Sequence, residues 1–138
     1  MTNLVSPHGA QTLKPLLLPE GQRAQELGRA EALTKVPMSS SEVCDLLLLS
    51  MGAYTPLDGF MGEQDWQGVC NDMKLSDGLF WPIPVTLSAE QALADQIELG
   101  EEIALIDGET QQIMAVMTVA EKFAPDLVLQ CKKVFGTN

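Results

Sequence analysis

The chain has 138 residues, of which 46% are hydrophobic and 20% are charged, and its formal net charge is −11. This length and composition predict one globular domain with its own core and exclude a disordered chain. The acidic surface disfavours nucleic acids and anionic membranes as partners, because proteins bind both mainly through cationic side chains.

Residues 1–19 are predicted to form an irregular arm, because Pro7, Gly9, Pro15 and Pro19 oppose regular structure. A first helix is expected from Glu20 to about residue 35, ahead of a proline.

A second helix is predicted to follow Ser39. Ser39 and Glu42 have the spacing of a capping box, and Gly52 lies where a glycine commonly ends a helix. Leucines and a valine at helical spacing supply its buried face.

The next segment, Thr55-Pro56-Leu57-Asp58-Gly59, has the composition of a turn. A third helix is expected over residues 63–73, with one apolar face. That face consists of Trp66, Val69, Cys70 and Met73. Residues 79–87 have strand composition, but two prolines cannot donate ladder hydrogen bonds, so the segment is expected at a sheet edge or a bend.

Ser88 and Gln91 predict the cap of a short helix. Residues 102–106 and 112–119, joined by a turn at 107–110, predict a β-hairpin. Residues 126–133 fit either a helical turn or a strand. Three helices leading into several strands predict an α+β domain spanning residues 1–138, with the strands curling into a small barrel-like sheet.

The three cysteines, Cys44, Cys70 and Cys131, are widely separated and show no spacing typical of metal ligands. We therefore expect no metal site and no disulfide framework, but buried free thiols. The sequence has no pattern typical of a secretion signal and no apolar run long enough to span a membrane, so a cytoplasmic protein is expected.

Six segments together resemble the amino-terminal domain of ATP sulfurylases, the sulfate adenylyltransferases. They are Ser6-Pro7-His8-Gly9, Gly52-Ala53-Tyr54-Thr55-Pro56-Leu57-Asp58-Gly59-Phe60-Met61, Met73-Lys74-Leu75-Ser76-Asp77-Gly78, Trp81-Pro82-Ile83-Pro84-Val85-Thr86-Leu87, Gly100-Glu101-Glu102-Ile103-Ala104-Leu105 and Val134-Phe135-Gly136-Thr137. The resemblance extends over nearly the whole chain. It implies a PUA-like β-barrel domain with flanking helices that packs against a larger catalytic domain.

In that family the larger domain converts ATP and sulfate into adenosine 5′-phosphosulfate and pyrophosphate. Its substrate-binding motif, Gln-x-Arg-Asn-Pro-x-His-x-x-His, has no match in this chain. The resemblance therefore implies that the catalytic domain, with ATP and Mg²⁺ as its substrate partners, lies outside this chain. We expect no catalytic, substrate-binding or metal-binding residue here, and the catalytic domain of the same enzyme as the partner.

The chemistry of adenylyl transfer leads to the same expectation, because ATP and sulfate require several convergent cations or donors. The only arginines, Arg23 and Arg29, are six residues apart on the first predicted helix and are expected to face different ways. His8 is the only histidine. We interpret it as a structural residue of the arm that contacts another domain, and Trp81 as a residue of core or interdomain packing.

Two further patterns are given structural interpretations. Gly59-Phe60-Met61-Gly62 is spaced like a phosphate clamp, but the acidic residues around it favour a turn with an apolar anchor. Glu101 and Glu102 are adjacent, so their side chains should point to opposite faces of a strand rather than form an acid–base pair.

Two alternatives to a supporting domain stay open at this point. One is a stand-alone PUA-like module that binds RNA through Trp66 and Trp81, although no basic residues surround them. The other is a protein-interaction module. Apolar surface left for a partner domain also predicts weak self-association, so a homo-oligomer is a further open alternative.

Overall fold

A computed structural model describes residues 4–137 and shows the expected α+β fold. The elements in chain order are α1 (Glu20–Ala30), β1 (Thr34–Met38), α2 (Ser40–Ser50), α3 (Glu63–Asp72), α4 (Gln91–Ala94), β2 (Glu102–Asp107), β3 (Ile113–Thr118) and α5 (Leu127–Gln130), followed by a π-helical turn at Cys131–Phe135. The first three residues of the expected arm lie outside the described part of the chain.

The described strands form one mixed sheet in the order β1-β2-β3. Strand β2 pairs antiparallel with β3, which confirms the predicted hairpin, and parallel with β1. A register shift between Leu105 and Ile106 bends the hairpin. The sheet that was expected to curl like a barrel thus consists, within residues 4–137, of three strands with β1 and β3 at its edges.

Strand β1 was not predicted, and the expectation that α1 continues to about residue 35 is wrong. Helix α1 ends at Ala30, and Thr34 pairs with Ile103 at the start of the parallel ladder. Pro37 is tolerated because β1 is an edge strand and one side of it needs no ladder partner. Val36 and Met38 alternate with Lys35 and Pro37, and this period of two is the sequence signal that could have identified the strand.

Helix α2 begins and ends as its sequence predicts. The Ser39 side chain accepts a hydrogen bond from the Glu42 backbone N–H, and the Glu42 carboxylate accepts one from the Ser39 backbone N–H, which completes the capping box. At the other end Gly52 has a φ of 80°, a left-handed conformation that costs glycine little.

The later elements depart from the predictions at three points. Met73 is half exposed and ends α3 in a left-handed conformation, so it does not belong to the buried face. The segment at 79–87 is irregular, with one isolated bridge between Lys74 and Phe80, because its prolines prevent a ladder. The residue that caps α4 is Glu90, whereas Ser88 donates its hydrogen bonds to the Glu42 carboxylate. The open choice for residues 126–133 is resolved in favour of helix.

Two clusters of buried side chains form the core. One joins α2, α3 and the segments around them, and the other lies on the sheet. The half-buried Phe60 packs against both clusters. The cluster around α2 and α3 contains Leu49, Leu57, Met61, Val69, Leu75, Trp81 and Val85. The cluster on the sheet contains Val36, Met38, Ile97, Ile103, Leu105 and Val119.

Glu42 connects α2 to the irregular segment that precedes α4. Its carboxylate is buried and accepts hydrogen bonds from the backbone N–H and hydroxyl of Ser39, at 2.8 and 2.9 Å, and from those of Ser88, both at 2.6 Å. Burial alone would raise the pKa of Glu42, but the hydrogen bonds from Ser88 and Ser39 outweigh it and lower the pKa. A charged carboxylate is therefore the form that the fold stabilises.

Substituting Glu42→Gln should lower the free energy of unfolding by about 1–3 kcal/mol, because an amide supplies one acceptor oxygen where four donors converge. Chemical denaturation at neutral pH measures the loss. The control is Glu109→Gln on the exposed loop between β2 and β3, which should leave stability unchanged. Equal stability of the two variants would show that the Glu42 carboxylate contributes nothing.

The loss of stability caused by Glu42→Gln should depend on pH. Since the pKa of Glu42 is lower in the folded state, its contribution to stability is complete above the normal carboxyl range and is lost as pH falls below about 4. The difference in unfolding free energy between the parent and Glu42→Gln should therefore shrink between neutral pH and about pH 3. A difference that stays constant with pH would contradict this origin.

Gly52→Ala should lower the free energy of unfolding by about 1–2 kcal/mol, because an added Cβ would strain the left-handed backbone. That Cβ would also lie 3.0 Å from the backbone nitrogen of Pro15 in the arm. Gly28→Ala is the matched control, since it lies inside α1 with no atom within 4 Å of an added Cβ and should instead stabilise the protein. A loss of stability at both positions would contradict the conformational argument.

Candidate functional site

His8 and Trp81, the two residues predicted to contact another domain, lie next to each other. The His8 Nε2 atom is 2.7 Å from the Phe80 carbonyl oxygen, and the His8 and Trp81 ring centroids are 6.2 Å apart. Trp81 is 8% exposed and meets Tyr54 edge to face. Within this chain the pair holds the arm against residues 80–81, and an interdomain role for either residue stays a prediction.

Trp66, the other tryptophan, is buried on α3. Its indole Nε1–H donates to the Gln130 side-chain oxygen at 2.7 Å, and its ring lies against Phe123. Because Trp66 and Trp81 are both buried, neither presents a ring face on which a base could stack. This arrangement counts against the RNA-binding alternative.

The arm, α1, the end of α2 and the hairpin line an open groove of about 540 Å³. Arg23 and Arg29 both border it, which corrects the expectation that they face different ways. The apolar wall of the groove includes Leu16, Leu27 and Met114.

The two arginines still form no clamp for an anion. The Arg29 guanidinium donates to both carboxylate oxygens of Glu26, at 3.1 and 2.8 Å, and to both of Glu102, at 2.6 and 3.1 Å. The hydrogen bonds to Glu26 and then Glu102 raise the pKa of Arg29 further above its ordinary value. Arg23 donates to the Leu18 carbonyl oxygen at 2.9 Å. Both cations are thus bound by the chain itself.

The segment Gly59-Phe60-Met61-Gly62 has the structural role expected of it. Met61 is buried in the core cluster around α2 and α3, and Gly62 is the residue that precedes α3. A smaller cavity of about 280 Å³ adjoins the segment, and three aspartates line it. They are Asp58, Asp65 and Asp77. This negative lining would repel a phosphate group.

Glu101 and Glu102 bond to different partners, as the alternation of strand side chains predicts. The Glu101 carboxylate accepts from the Thr34 hydroxyl at 3.1 Å and from the Glu98 backbone N–H at 2.9 Å. Glu102 is occupied by Arg29. The two carboxylates therefore do not form an acid–base pair.

The cysteines correct one expectation about burial. Cys70 is buried, but Cys44 is exposed and Cys131 is half buried, and all three are free thiols. Cys44 lies on the same side of α2 as Ser41 and Leu47, which are also exposed. Among residues 4–137, no three His, Cys, Asp or Glu side chains are grouped in a way that could hold a metal ion. No helix in the same range is both long and apolar enough to cross a bilayer.

Acidic residues are distributed unevenly along the chain. All 19 acidic residues fall between Glu20 and Asp126, so neither the arm nor the last residues carry a carboxylate side chain. The arm nevertheless exposes six large apolar side chains. They are Leu4, Val5, Leu13, Leu16, Leu17 and Leu18. Exposed apolar surface of this extent is typical of an interaction site.

Hydrogen bonds hold the arm to the domain. The Lys14 backbone N–H donates to the Thr55 hydroxyl at 2.9 Å, and the Leu16 and Leu17 backbone N–H groups donate to the Ser50 carbonyl at 3.0 and 3.2 Å. The Lys14 ammonium group also pairs with Asp58. The arm is therefore a fixed part of the surface.

Comparison with known proteins identifies relatives over the whole chain. A family model described as a PUA-like domain matches residues 5–138. A sulfate adenylyltransferase of Syntrophobacter fumaroxidans is 52% identical over 139 residues, which cover 100% of this chain and 34% of that protein. A sulfate adenylyltransferase of Thiobacillus denitrificans is 47% identical over 138 residues, again with 100% and 34% covered. The chain thus spans about a third of the length of these relatives.

A solved structure gives the same result for the fold. It is titled a hexameric APS kinase from Thiobacillus denitrificans, and it superposes with a TM-score of 0.74 at 36% sequence identity. The match covers 89% of this chain and 24% of that one. These findings confirm the resemblance in sequence and the PUA-like fold.

The free thiols should differ in reactivity. Burial raises the pKa of Cys70 and shields its sulfur, whereas Cys44 is exposed, so Cys44 should react with an aromatic disulfide reagent faster by about tenfold or more. Variants that retain one cysteine each allow the two rates to be measured separately. In denaturant the rates should become equal, and equal rates in the folded protein would contradict the assignment.

Proposed function

This chain belongs to the PUA-like domain family found in sulfate adenylyltransferases, and we propose that it supports and orients the catalytic part of such an enzyme without performing the chemistry. The reaction joins ATP and sulfate into adenosine 5′-phosphosulfate and releases pyrophosphate. Its site must hold a polyanionic nucleotide beside a second anion, which requires convergent cations, donors or metal ions.

The observation that carries the proposal is that the chain already uses most of its own cations. Five of its eight lysine and arginine side chains have partners within the described residues. They are Lys14 with Asp58, Arg23 with Leu18, Arg29 with Glu26 and Glu102, Lys35 with Glu31, and Lys122 with Ala94 and Ile97. Arg23 and Arg29 both border the groove, but each is already bonded within the chain, so neither is free to hold an anion.

The groove does not fit ATP with its Mg²⁺ ion. A nucleotide would need free positive charge there, but the guanidinium group of Arg29 is enclosed by Glu26 and Glu102. The smaller cavity is lined by aspartates that hold a lysine and backbone N–H groups of the chain. We therefore propose that ATP, Mg²⁺ and sulfate bind to residues outside this chain.

The partner in this proposal is the catalytic part of the same enzyme, in keeping with relatives about three times as long as this chain. Such an enzyme would work in the cytoplasm, where ATP is available. The exposed apolar surface of the arm also leads us to propose that the isolated chain self-associates weakly.

A fusion tests the proposal. The 138-residue chain should produce no pyrophosphate from ATP and sulfate, because it lacks the cationic site. Joined to the remaining two thirds of the Syntrophobacter fumaroxidans relative, in place of that protein's own matching segment, it should support pyrophosphate release. The control is the same remaining part without this chain, which should be less active or less stable.

Two outcomes would contradict the proposal. Pyrophosphate release by the 138-residue chain alone would show that it contains a catalytic site. A fusion that is folded but no more active than the control would show that the chain does not support the catalytic part.

A further inference from the structure

We propose that the leucine-lined side of the arm, residues 4–18, is the surface that docks on the anion-binding catalytic part of the enzyme. This inference rests on the proposed function and adds to it the location of the contact. Three features of the arm carry it: the absence of carboxylate side chains, the exposed leucines and a backbone that the domain holds in place.

The charge pattern fits a partner that binds anions. The domain has 19 acidic residues, but none precedes Glu20. A carboxylate placed beside a site for ATP and sulfate would lower the local potential and weaken the binding of both. A carboxylate-free arm could lie near such a site, whereas the acidic remainder of the domain would be directed away from it. Complementarity of this kind selects one orientation of docking.

The exposed leucines supply the area to be buried. Leu13 is 61% exposed and Leu17 is 60% exposed, although both are large apolar side chains. Burying such a side chain on association contributes about 1.5–3 kcal/mol to the free energy of binding, before the entropic costs of association are subtracted. Leu16 and Leu18, which line the groove together with Leu17 and are each 41% exposed, add to this apolar surface.

The fixed backbone reduces the cost of binding. The N–H groups of Lys14, Leu16 and Leu17 are bonded to α2 and to the turn after it, so the leucines are displayed in a set arrangement. Nearer the start of the arm, His8 is bonded at the Phe80 carbonyl oxygen. A surface that is ordered before association loses little conformational freedom when its partner docks.

The test introduces one negative charge at two equally exposed leucines in the fusion. Leu17→Glu lies in the arm, and the matched control is Leu99→Glu, at a residue that is 63% exposed beside Glu98 and Glu101. Leu17→Gln separates the effect of the charge from the loss of the apolar side chain. The readout is the rate of proteolytic cleavage at the junction after Thr137, together with pyrophosphate release. Thermal unfolding of each variant in the 138-residue chain checks that the arm itself is unaffected.

The expected result is junction cleavage faster by about tenfold or more for Leu17→Glu, because an unpaired carboxylate would be buried at the contact. Leu17→Gln should have a smaller effect, and Leu99→Glu should cleave like the parent fusion. All three variants of the 138-residue chain should unfold at the parent's temperature.

Three results would overturn the inference. If the fusion is active but both glutamate variants cleave like the parent, the arm is not the docking surface, while the proposed function stands. If Leu17→Glu only dissociates a dimer of the fusion, the occupant of the surface is a second copy. If the fusion is inactive and its junction is open in every variant, the proposed function and the docking inference both fail.

Discussion

One buried carboxylate ties helix α2 to the irregular segment that precedes α4. Glu42 accepts four hydrogen bonds, two from Ser39 at the start of its own helix and two from Ser88, which lies 46 residues later. Helix α2 contributes Leu49 to one core cluster, and Leu46 packs against the other. The bonds from Ser88 therefore tie the irregular segment 79–90 to the helix that both clusters share. Because a buried carboxylate without these donors would be costly, the arrangement strongly favours a single path for that segment.

The distribution of charge bears on what the domain can do. A net charge of −11 would normally favour cationic ligands, yet no described group of acidic side chains forms a metal site. Instead the carboxylates engage the cations of the chain, as Glu26 and Glu102 do with Arg29. A domain in which five of eight cationic side chains are already bonded has few left with which to hold ATP and sulfate. This suits a division of labour in which another part of an enzyme supplies the positive charge.

The arm has a composition unlike that of the rest of the domain, and the fold explains how it is kept in place. Gly52 ends α2 in a left-handed turn, and the absence of a side chain there lets the Pro15 backbone approach closely. Ser50, at the end of the same helix, accepts the arm's backbone N–H groups. The end of one helix thus positions a segment whose own sequence contains no regular element. Its leucines remain outside both core clusters and available to a partner.

The sequence by itself determined the elements whose signals are local. The capping box of α2, the buried face of α3 and the β2–β3 hairpin all depend on residues a few positions apart, and so does the interpretation of residues 59–62 as an anchor. Only the tertiary structure decided the rest. Strand β1 exists because it pairs with β2 almost 70 residues away, Ser88 serves Glu42 rather than α4, and Arg29 reaches Glu102 across 73 positions. Apart from the short alternation at Val36 and Met38, such contacts leave no period in the sequence, because their partners are brought together only when the chain folds.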